Sequence, residues 1–324
     1  MKTRINQTLL LITITTIFQP FAIGQVDGPA NVPLSHDSWT SGAPMPTPRQ
    51  GVATGVVGKN VYVVGGATNT AVTGVMEIYN AAKDNWTTGP SMPTPRFVPA
   101  SAVVNKILYV FGGQSGSGVL KVVEAYDTVH HNWSRKASMP TARDSIYAVV
   151  EKGIIYLSGG YSPNGGRLAT VESYDPVANA WRKRAPLKAG KSLPATGLLG
   201  STIVAAGGLA NSGIVADNEG YNAVTNKWRR LARVPTARQG GCAWGIQGHL
   251  YFASGIGGVS GNPVNVLEAY SQQMEAWTTL ASIPLAVTNP GSADVGNRLY
   301  CFGGSNDGRL FQGTVYNNLQ IYQP

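Results

Sequence analysis

Short runs of apolar residues that end in two small residues recur along this sequence. The first run is Val61-Tyr62-Val63-Val64-Gly65-Gly66, and five similar runs follow it. The glycines that close the six runs are residues 66, 113, 160, 208, 255 and 304, at intervals of 47, 47, 48, 47 and 49 residues. A fixed period of this length marks a chain that is built from one repeated supersecondary unit. The pattern therefore predicts six copies of one unit.

Each unit divides into four predicted β-strands. In the first copy, apolar or alternating segments lie at 50–57, 61–64, 75–79 and 86–88, with turn residues such as Gly58-Lys59-Asn60 between them. Short runs rich in Val, Ile and Tyr, bounded by Gly, Pro and Asn, are typical of antiparallel strands that tight turns connect. The chain has 40 Gly and 20 Pro, which is the composition of an all-β fold with many turns.

The two ends of the repeat are predicted to share one unit. The last unit stops after its third strand, Leu319-Gln320-Ile321-Tyr322, and has no tryptophan. Trp39 lies ten residues before Arg49, just as Trp86 lies ten residues before Arg96. A terminal unit that takes its outer strand from the other end of the chain closes an array into a ring and removes exposed strand edges. We therefore predict a six-bladed β-propeller with four-stranded antiparallel blades, closed by the N-terminal strand.

The repeated residues resemble those of the kelch family. An apolar strand that ends in Gly-Gly, then Glu77-x-Tyr79 and then Trp86 is similar to the kelch repeat, and the likeness extends from Trp39 to Pro324. Ser254-Gly255 departs from the glycine pair in the fifth blade, and Gln320 replaces the glutamate in the sixth. The resemblance implies kelch-type blades.

The N-terminus resembles an export signal. Lys2 and Arg4 precede the apolar run 9–18, and Ala22 and Gly24 provide the small residues of a cleavage site. We predict a signal peptide over 1–24, a linker over 25–37 and the propeller over 38–324. The expected location is secreted or periplasmic, without a transmembrane segment in the mature chain, because no later run reaches about 18 apolar residues.

Charge is concentrated in one part of the chain. The formal charge is +9, and removal of Lys2 and Arg4 leaves 23 basic and 16 acidic residues. Ten basic and two acidic residues lie between Arg182 and Arg238. Cys242 and Cys301 lie at non-equivalent places in two repeats, so that a disulfide is possible, but we expect buried free thiols.

One basic position recurs before the first strand of each unit. It holds Arg49, Arg96, Arg143, Lys191 and Arg238, with Val287 in the sixth unit. These side chains can form a ring that binds anions at one mouth of the propeller. They can equally form ion pairs with the repeated glutamates.

Residues that break the repeat are the candidates for a ligand site. Tyr147 and Trp244 are large where the other first strands have small residues, and Asp144 is the carboxylate that begins a first strand. Tyr147 and Trp244 can fill the channel or form the floor of a pocket. The predicted ligand-binding face contains Arg49, Arg96, Arg143, Asp144, Tyr147, Tyr161, Arg167, Lys191, Arg238, Trp244, Asn306, Asp307 and Arg309.

The favoured function is a non-catalytic module that binds a protein or glycan, which can be anionic. No two histidines distant in sequence are expected to converge on a nucleophile. We predict no metal, cofactor or nucleic-acid partner. The alternative is a carbohydrate-active enzyme that resembles the periplasmic kelch proteins that interconvert sialic acid anomers, since that reaction needs one or two acid-base groups.

Overall fold

Residues 37–258 and 261–324 are described here, from a computed structural model of the protein. These residues form β-strands joined by turns and loops, and none of them lies in an α-helix. In this part of the chain, no helix has the length and apolar character needed to span a membrane. The predicted signal peptide and the predicted linker up to residue 36 lie outside the described residues.

The described residues contain six four-stranded antiparallel sheets, an architecture consistent with a kelch-type β-propeller, and we number them one to six by the order of their first strands. The first strands are Ala53–Val57, Ala100–Val104, Tyr147–Glu151, Ala195–Leu199, Cys242–Ile246 and Gly291–Val295. The second strands are Asn60–Val64, Ile107–Phe111, Ile154–Ser158, Thr202–Ala206, His249–Ala253 and Arg298–Phe302. The third strands are Met76–Asn80, Val123–Asp127, Val171–Asp175, Asn218–Asn222, Leu267–Ser271 and Leu319–Gln323. The fourth strands are Asn85–Gly89, Asn132–Arg135, Ala180–Lys183, Lys227–Leu231, Ala276–Leu280 and, for sheet six, Ser38–Ser41.

The N-terminal strand belongs to the sheet that contains the C-terminal strand. Ser38–Ser41 runs antiparallel to Leu319–Gln323, with Trp39 opposite Tyr322. Asp37, the last residue of the predicted linker, accepts hydrogen bonds from the Tyr322 hydroxyl at 2.7 Å and from the Ala281 amide at 2.8 Å. Asp37 thus has the place in sheet six that Asp84 has in sheet one, where it accepts from Tyr79 and from the Ala43 amide.

Short pairings place the start of each first strand beside the loop that follows the glycine pair of the same sheet. Four hairpins or strand pairs lie at this end of the sheets: Gln114–Ser115 with Gly118–Val119, Tyr161–Ser162 with Gly166–Arg167, Leu209–Ala210 with Lys191–Ser192 and Gly213–Ile214, and Arg238–Gln239 with Ile256–Gly257. Single bridges join Gln50 to Ala67 and Thr288 to Ser305. We call this end the loop face, and the end with the tight turns the turn face.

A set of six backbone hydrogen bonds links neighbouring sheets at the loop face. Two residues after the recurrent basic position, every sheet has a residue with positive φ. The amide of each donates to the carbonyl of its counterpart in the preceding sheet, at 2.6 to 3.0 Å. The series runs from Gly51 to Asn289, Gly240, Leu193, Ser145 and Val98 and then returns to Gly51.

The tryptophans of the fourth strands form a second set of contacts between sheets. Each indole Nε1 donates to a carbonyl in the segment that follows the fourth strand of the preceding sheet, at 2.8 to 2.9 Å. Trp39 donates to Ala281 and Trp86 donates to Ala43. The rings also pack on the tyrosine of the third strand, as Trp86 does on Tyr79 with centroids 5.2 Å apart.

The prediction of free thiols is wrong, because Cys242 and Cys301 form a disulfide. Cys242 lies on the first strand of sheet five and Cys301 on the second strand of sheet six. Their Cα atoms are 6.0 Å apart, since first strands pack against the second strands of the next sheet. Non-equivalent positions within two repeats thus face each other across the contact between neighbouring sheets.

Candidate functional site

The recurrent basic side chains lie inside the protein and not at the mouth of the channel. Arg49, Arg96, Arg143 and Arg238 have no exposed side-chain surface, and Lys191 is 2% exposed. This corrects their assignment to the ligand-binding face. The burial follows from the repeat itself, since each arginine meets the glutamate of its own third strand, and a buried charge must be paired.

Sheet one illustrates how this pair is built. Arg49 donates to a Glu77 oxygen at 2.8 Å, and the Thr47 hydroxyl donates to the other oxygen at 2.7 Å. The guanidinium group also donates to the carbonyls of Gly65 and Val75, both at 2.8 Å. Burial lowers the pKa of Arg49, and Glu77 opposes that change. The pair therefore holds the glycine loop to the third strand.

Sheets four and six replace this pair in two different ways. Lys191 donates to the carbonyls of Ala205 and Asp217, and burial lowers its pKa. In sheet six, Val287 removes the cation and Gln320 removes the anion, and the Gln320 amide exchanges hydrogen bonds with the backbone of Leu285. In sheet six, two neutral residues, Val287 and Gln320, thus occupy the positions of the buried ion pair.

A cavity of about 320 Å³ lies where the first strands of the sheets meet. Its wall is formed by the fifth residue after the recurrent basic position in every sheet: Thr54, Ser101, Ala148, Thr196, Ala243 and Ser292. Ser101 donates to the Thr54 carbonyl at 2.8 Å, and Thr54 donates to the Ser292 carbonyl. Hydroxyl groups thus bridge neighbouring sheets and line the cavity.

Tyr147 lines the cavity, whereas Trp244 does not. Tyr147 is partly exposed, its hydroxyl makes no hydrogen bond to another described residue, and burial raises its pKa to about 12. Trp244 is 3% exposed and packs between sheets five and six, with its Nε1 donating to the Tyr300 carbonyl at 3.2 Å. The prediction that Trp244 forms the pocket floor is corrected, because its ring is buried among core residues of sheets five and six.

Three polar residues of the cavity wall escape the sequence analysis. Ser145 and Asn289 lie at its loop-face end, and the Asn289 Oδ1 is buried without a hydrogen-bond donor among the described residues. Asp294 lies further along a first strand, and desolvation raises its pKa. Strand alternation could have found Asp294, which shares a side of its first strand with Ser292, whereas Ser145 and Asn289 precede their first strands and have positive φ.

Asp144, Tyr161 and Arg167 come together in sheet three. Asp144 and Tyr161 form a backbone bridge, and Tyr161 lies opposite Arg167 in a short hairpin. Asp144 is 4% exposed, and burial raises the pKa of its carboxyl to about 6. Tyr161 is 37% exposed, and Arg167 has no ion pair among the described residues.

Asn306, Asp307 and Arg309 lie in the loop of sheet six, next to sheet one. Asp307 and Arg309 form an exposed ion pair. The Arg309 carbonyl accepts from the Gln50 side chain at 3.1 Å, and the Gln50 oxygen accepts from Ser305 at 2.7 Å. The Asn289 side chain donates to the Gly308 carbonyl at 2.9 Å. This loop is thus fixed over the end of the cavity that Asn289 lines.

A family model described as the KLHDC2/KLHL20/DRC7 Kelch-repeats domain matches residues 34–196, half of the chain. The chain belongs to the kelch-repeat family. No curated protein matches the chain. The matched residues include the glycine pairs, the Glu-x-Tyr segments and the tryptophans of sheets one to three, so the kelch resemblance seen in the sequence is confirmed.

The kelch repeats of this chain divide its polar residues into two groups. The repeated glutamates, threonines, tyrosines and tryptophans are occupied by contacts within and between sheets. The residues that differ between repeats, among them Tyr147, Tyr161, Arg167 and Asn289, face the cavity or the loop face. Among the described residues, no three His, Cys, Asp or Glu side chains are grouped so that they could hold a metal ion.

Proposed function

We propose that the six sheets are the blades of one closed six-bladed propeller, and that this propeller is an exported binding module. Its loop face binds a protein segment that reaches the mouth of the cavity. Kelch-repeat domains generally mediate protein binding. Closure is supported by the series of hydrogen bonds that returns to Gly51 and by the pairing of Ser38–Ser41 with Leu319–Gln323.

One observation carries the proposal for the loop face. The repeat is not kept there, because the loops between the glycine pair and the third strand differ in sequence and vary from 9 to 14 residues in length. The exposed or half-buried side chains of Tyr161, Arg167 and Arg309 lie on the loop face. The cavity wall contains Tyr147 and Asn289, and the Asn289 Oδ1 is buried without a hydrogen-bond donor among the described residues. Tyrosine and arginine are the side chains that most often dominate the energy of a protein interface.

The test starts from a peptide library that is displayed on phage and selected on the immobilised protein. Peptides that bind are then measured by titration calorimetry against Y161A/R309A, which alters the loop face, and K106A/V224A, which alters the turn face. We expect at least about tenfold weaker binding to Y161A/R309A and unchanged binding to K106A/V224A. Selected peptides that lose affinity only for the turn-face variant contradict the proposal.

Export is part of the proposal, on the grounds of the N-terminal sequence alone. Expression of the full chain with a C-terminal epitope tag, followed by N-terminal sequencing of the exported product, tests it. We expect a mature protein that begins at Gln25. An intracellular product that keeps Met1 contradicts export without affecting the argument for the loop face.

A second candidate function is suggested by Asp144. A buried carboxyl whose pKa lies near 6 can both accept and release a proton close to neutral pH. That property suits the interconversion of sugar anomers, the enzyme alternative of the sequence analysis. Proton NMR of freshly dissolved sialic acid measures this exchange, and faster exchange with the protein that is lost in D144N would favour the enzyme.

A further inference from the structure

The outer edge of sheets three and four has a concentration of exposed cations. The fourth strands are the edge strands of their sheets. Seven exposed basic residues lie on these two strands or in the segments that follow them: Arg182, Lys183, Lys188, Lys227, Arg229, Arg230 and Arg233. Asp217 and Glu275 are the acidic partners that the described residues supply, at 4.0 Å from Arg233 and 2.8 Å from Arg229.

The two basic segments are held next to each other. The first basic segment, residues 182–188 of sheet three, is held at Ala185, whose amide donates to the Asn226 side chain of sheet four at 2.9 Å. The Ala185 carbonyl accepts from the Trp228 indole at 2.8 Å. Residues 182–188 therefore lie against the outer strand of sheet four. The cations of both segments form one surface, which we call the basic edge.

A groove runs along this surface. A cavity of about 250 Å³ is lined by Lys188, Arg230 and Arg233 together with Asp217 and Glu219. Lys188 and Arg230 have no acidic partner within ion-pair distance among the described residues, and neither have Arg182, Lys183 and Lys227. Five cations of the basic edge, two of which line this cavity, thus keep their charge available to a ligand.

Protection of the sheet edges does not account for these charges. Charged side chains on edge strands do prevent pairing with other chains. However, the fourth strands of sheets one, five and six have the sequences Asn-Trp-Thr-Thr, Ala-Trp-Thr-Thr and Ser-Trp-Thr-Ser, without a basic residue. Three equivalent edges thus exist without cations, so the concentration at sheets three and four has another role.

We propose that the basic edge binds a linear polysaccharide with carboxylate or sulfate groups. Guanidinium groups bind such oxyanions through two parallel hydrogen bonds, and residues two apart on a strand are about 7 Å apart, which suits a chain with regularly spaced anions. Binding of single-stranded nucleic acid relies on exposed aromatic rings in addition to charge. Here Trp181 and Trp228 are half-buried, and their indole groups donate to Ala137 and Ala185.

The test compares two variants with the same loss of charge. R182Q/K188Q/K227Q/R230Q removes four cations of the basic edge and leaves the ion-paired Arg229 and Arg233 in place. K59Q/K83Q/K106Q/K121Q removes four exposed lysines of sheets one and two. Circular dichroism and thermal unfolding establish that both variants are folded, and binding to immobilised heparin is measured for each.

We expect the basic-edge variant to bind heparin at least about tenfold more weakly than the native protein, and the control variant to bind as the native protein does. Native binding should also fall steeply from about 0.1 M to about 1 M sodium chloride, because the screening length falls from about 10 Å to about 3 Å. Equal binding by both variants, or no binding by the native protein, overturns the proposal.

Two further probes test the class of ligand. DNA oligonucleotides and vesicles that contain phosphatidylserine are compared with heparin at the same salt concentration, with neutral dextran as a baseline. Tighter binding of either probe than of heparin overturns the assignment to a polysaccharide. Peptides selected on the loop face should bind the basic-edge variant normally, which separates this proposal from the proposed function of the loop face.

Discussion

The buried arginines show how a single residue can be essential to a fold and absent from its surface. Arg143 donates to Glu172 at 2.6 Å, and Thr141 donates to the second oxygen at 2.9 Å. Removal of one member of a buried ion pair leaves an uncompensated charge, which costs more than the pair contributes. Sheet six demonstrates a neutral replacement, with Val287 and Gln320 in the same places.

The change R143V should therefore lower the free energy of unfolding by about 3 to 5 kcal/mol. The double change R143V/E172Q copies the residues of sheet six, and we expect it to recover most of that loss. Urea unfolding followed by tryptophan fluorescence measures both. If the double variant is no more stable than R143V, the ion pair is not the source of the effect.

Asp144 gives a prediction with a defined pH dependence. Burial raises its pKa from the ordinary 3.8 to about 6, so between these pH values the folded protein binds more protons than the unfolded chain does. The contribution of Asp144 to stability is therefore most favourable below about pH 4 and is lost as the pH rises to about 6.

The change D144N should raise the free energy of unfolding at about pH 7 by up to about 3 kcal/mol, and by little at about pH 3.5. Thermal unfolding over this pH range measures the difference. D127N is the control with the opposite sign, because hydrogen bonds from His130 and Val129 lower the pKa of Asp127 to about 2. A constant gain at every pH contradicts the assignment of the pKa change to Asp144.

At the scale of one element, the second strand and its glycine pair are fixed by close contact with the backbone. Gly207 has a φ of +64°, and a Cβ atom there would lie 2.6 Å from the Arg238 carbonyl oxygen. Gly200 of the same sheet has a φ of +57°, but its nearest neighbour would be the Gln272 side chain at 3.5 Å. Both glycines have a positive φ, but only Gly207 lacks room for a Cβ atom.

We expect G200A to cost about 1 kcal/mol, the penalty for a positive φ, and G207A to cost about 2 to 4 kcal/mol because the Arg238 segment must also move. Chemical denaturation of both variants checks this. Equal costs would mean that the contact with Arg238 relaxes freely, and that the glycine pair is required by conformation alone.

The elements were predictable from the sequence to a greater degree than the directions of their side chains. The repeat period and the turn residues predicted the strands, since the observed strands Asn60–Val64 and Met76–Asn80 differ from the predicted segments 61–64 and 75–79 by no more than one residue at each end. The cavity side of the first strands has Thr or Ser in four of the six sheets, but strand alternation places Tyr147 and Trp244 together on the other side and does not distinguish them. Tyr147 and Trp244 were therefore treated alike, although one lines the cavity and the other packs between sheets.

The contacts between repeats could not be predicted from the sequence either. The tryptophans recur once in each repeat, but each indole donates to a carbonyl in the preceding repeat, 43 residues away in sequence for Trp86. The disulfide between Cys242 and Cys301 depends on the same contact between neighbouring sheets. The period of the sequence defines the strands within one repeat, whereas the tryptophan contacts and the disulfide depend on how two repeats pack together.

At the scale of the whole molecule, the N-terminal strand should decide whether the chain folds. Removal of residues 25–43 takes away Asp37, the strand Ser38–Ser41 and the Trp39 indole, and leaves Leu319–Gln323 as an unpaired edge. We expect that protein to unfold or aggregate, whereas removal of residues 25–36 should leave thermal stability unchanged. Size-exclusion chromatography and calorimetry compare the two, and equal tolerance of both deletions contradicts closure by this strand.

The hydrogen bonds of the loop-face series and of the fourth-strand tryptophans all run in the same direction, from each sheet to the one before it. In the language of oligomers this is a head-to-tail interface, in which one surface always meets a different surface of its neighbour. Such an interface can be repeated without limit, and no single contact between two sheets fixes the number of sheets at six. The number of units depends on whether the small rotation from sheet to sheet adds up to a full turn. A duplicated unit of 47 residues would keep every local contact intact and still prevent the two ends of the chain from meeting.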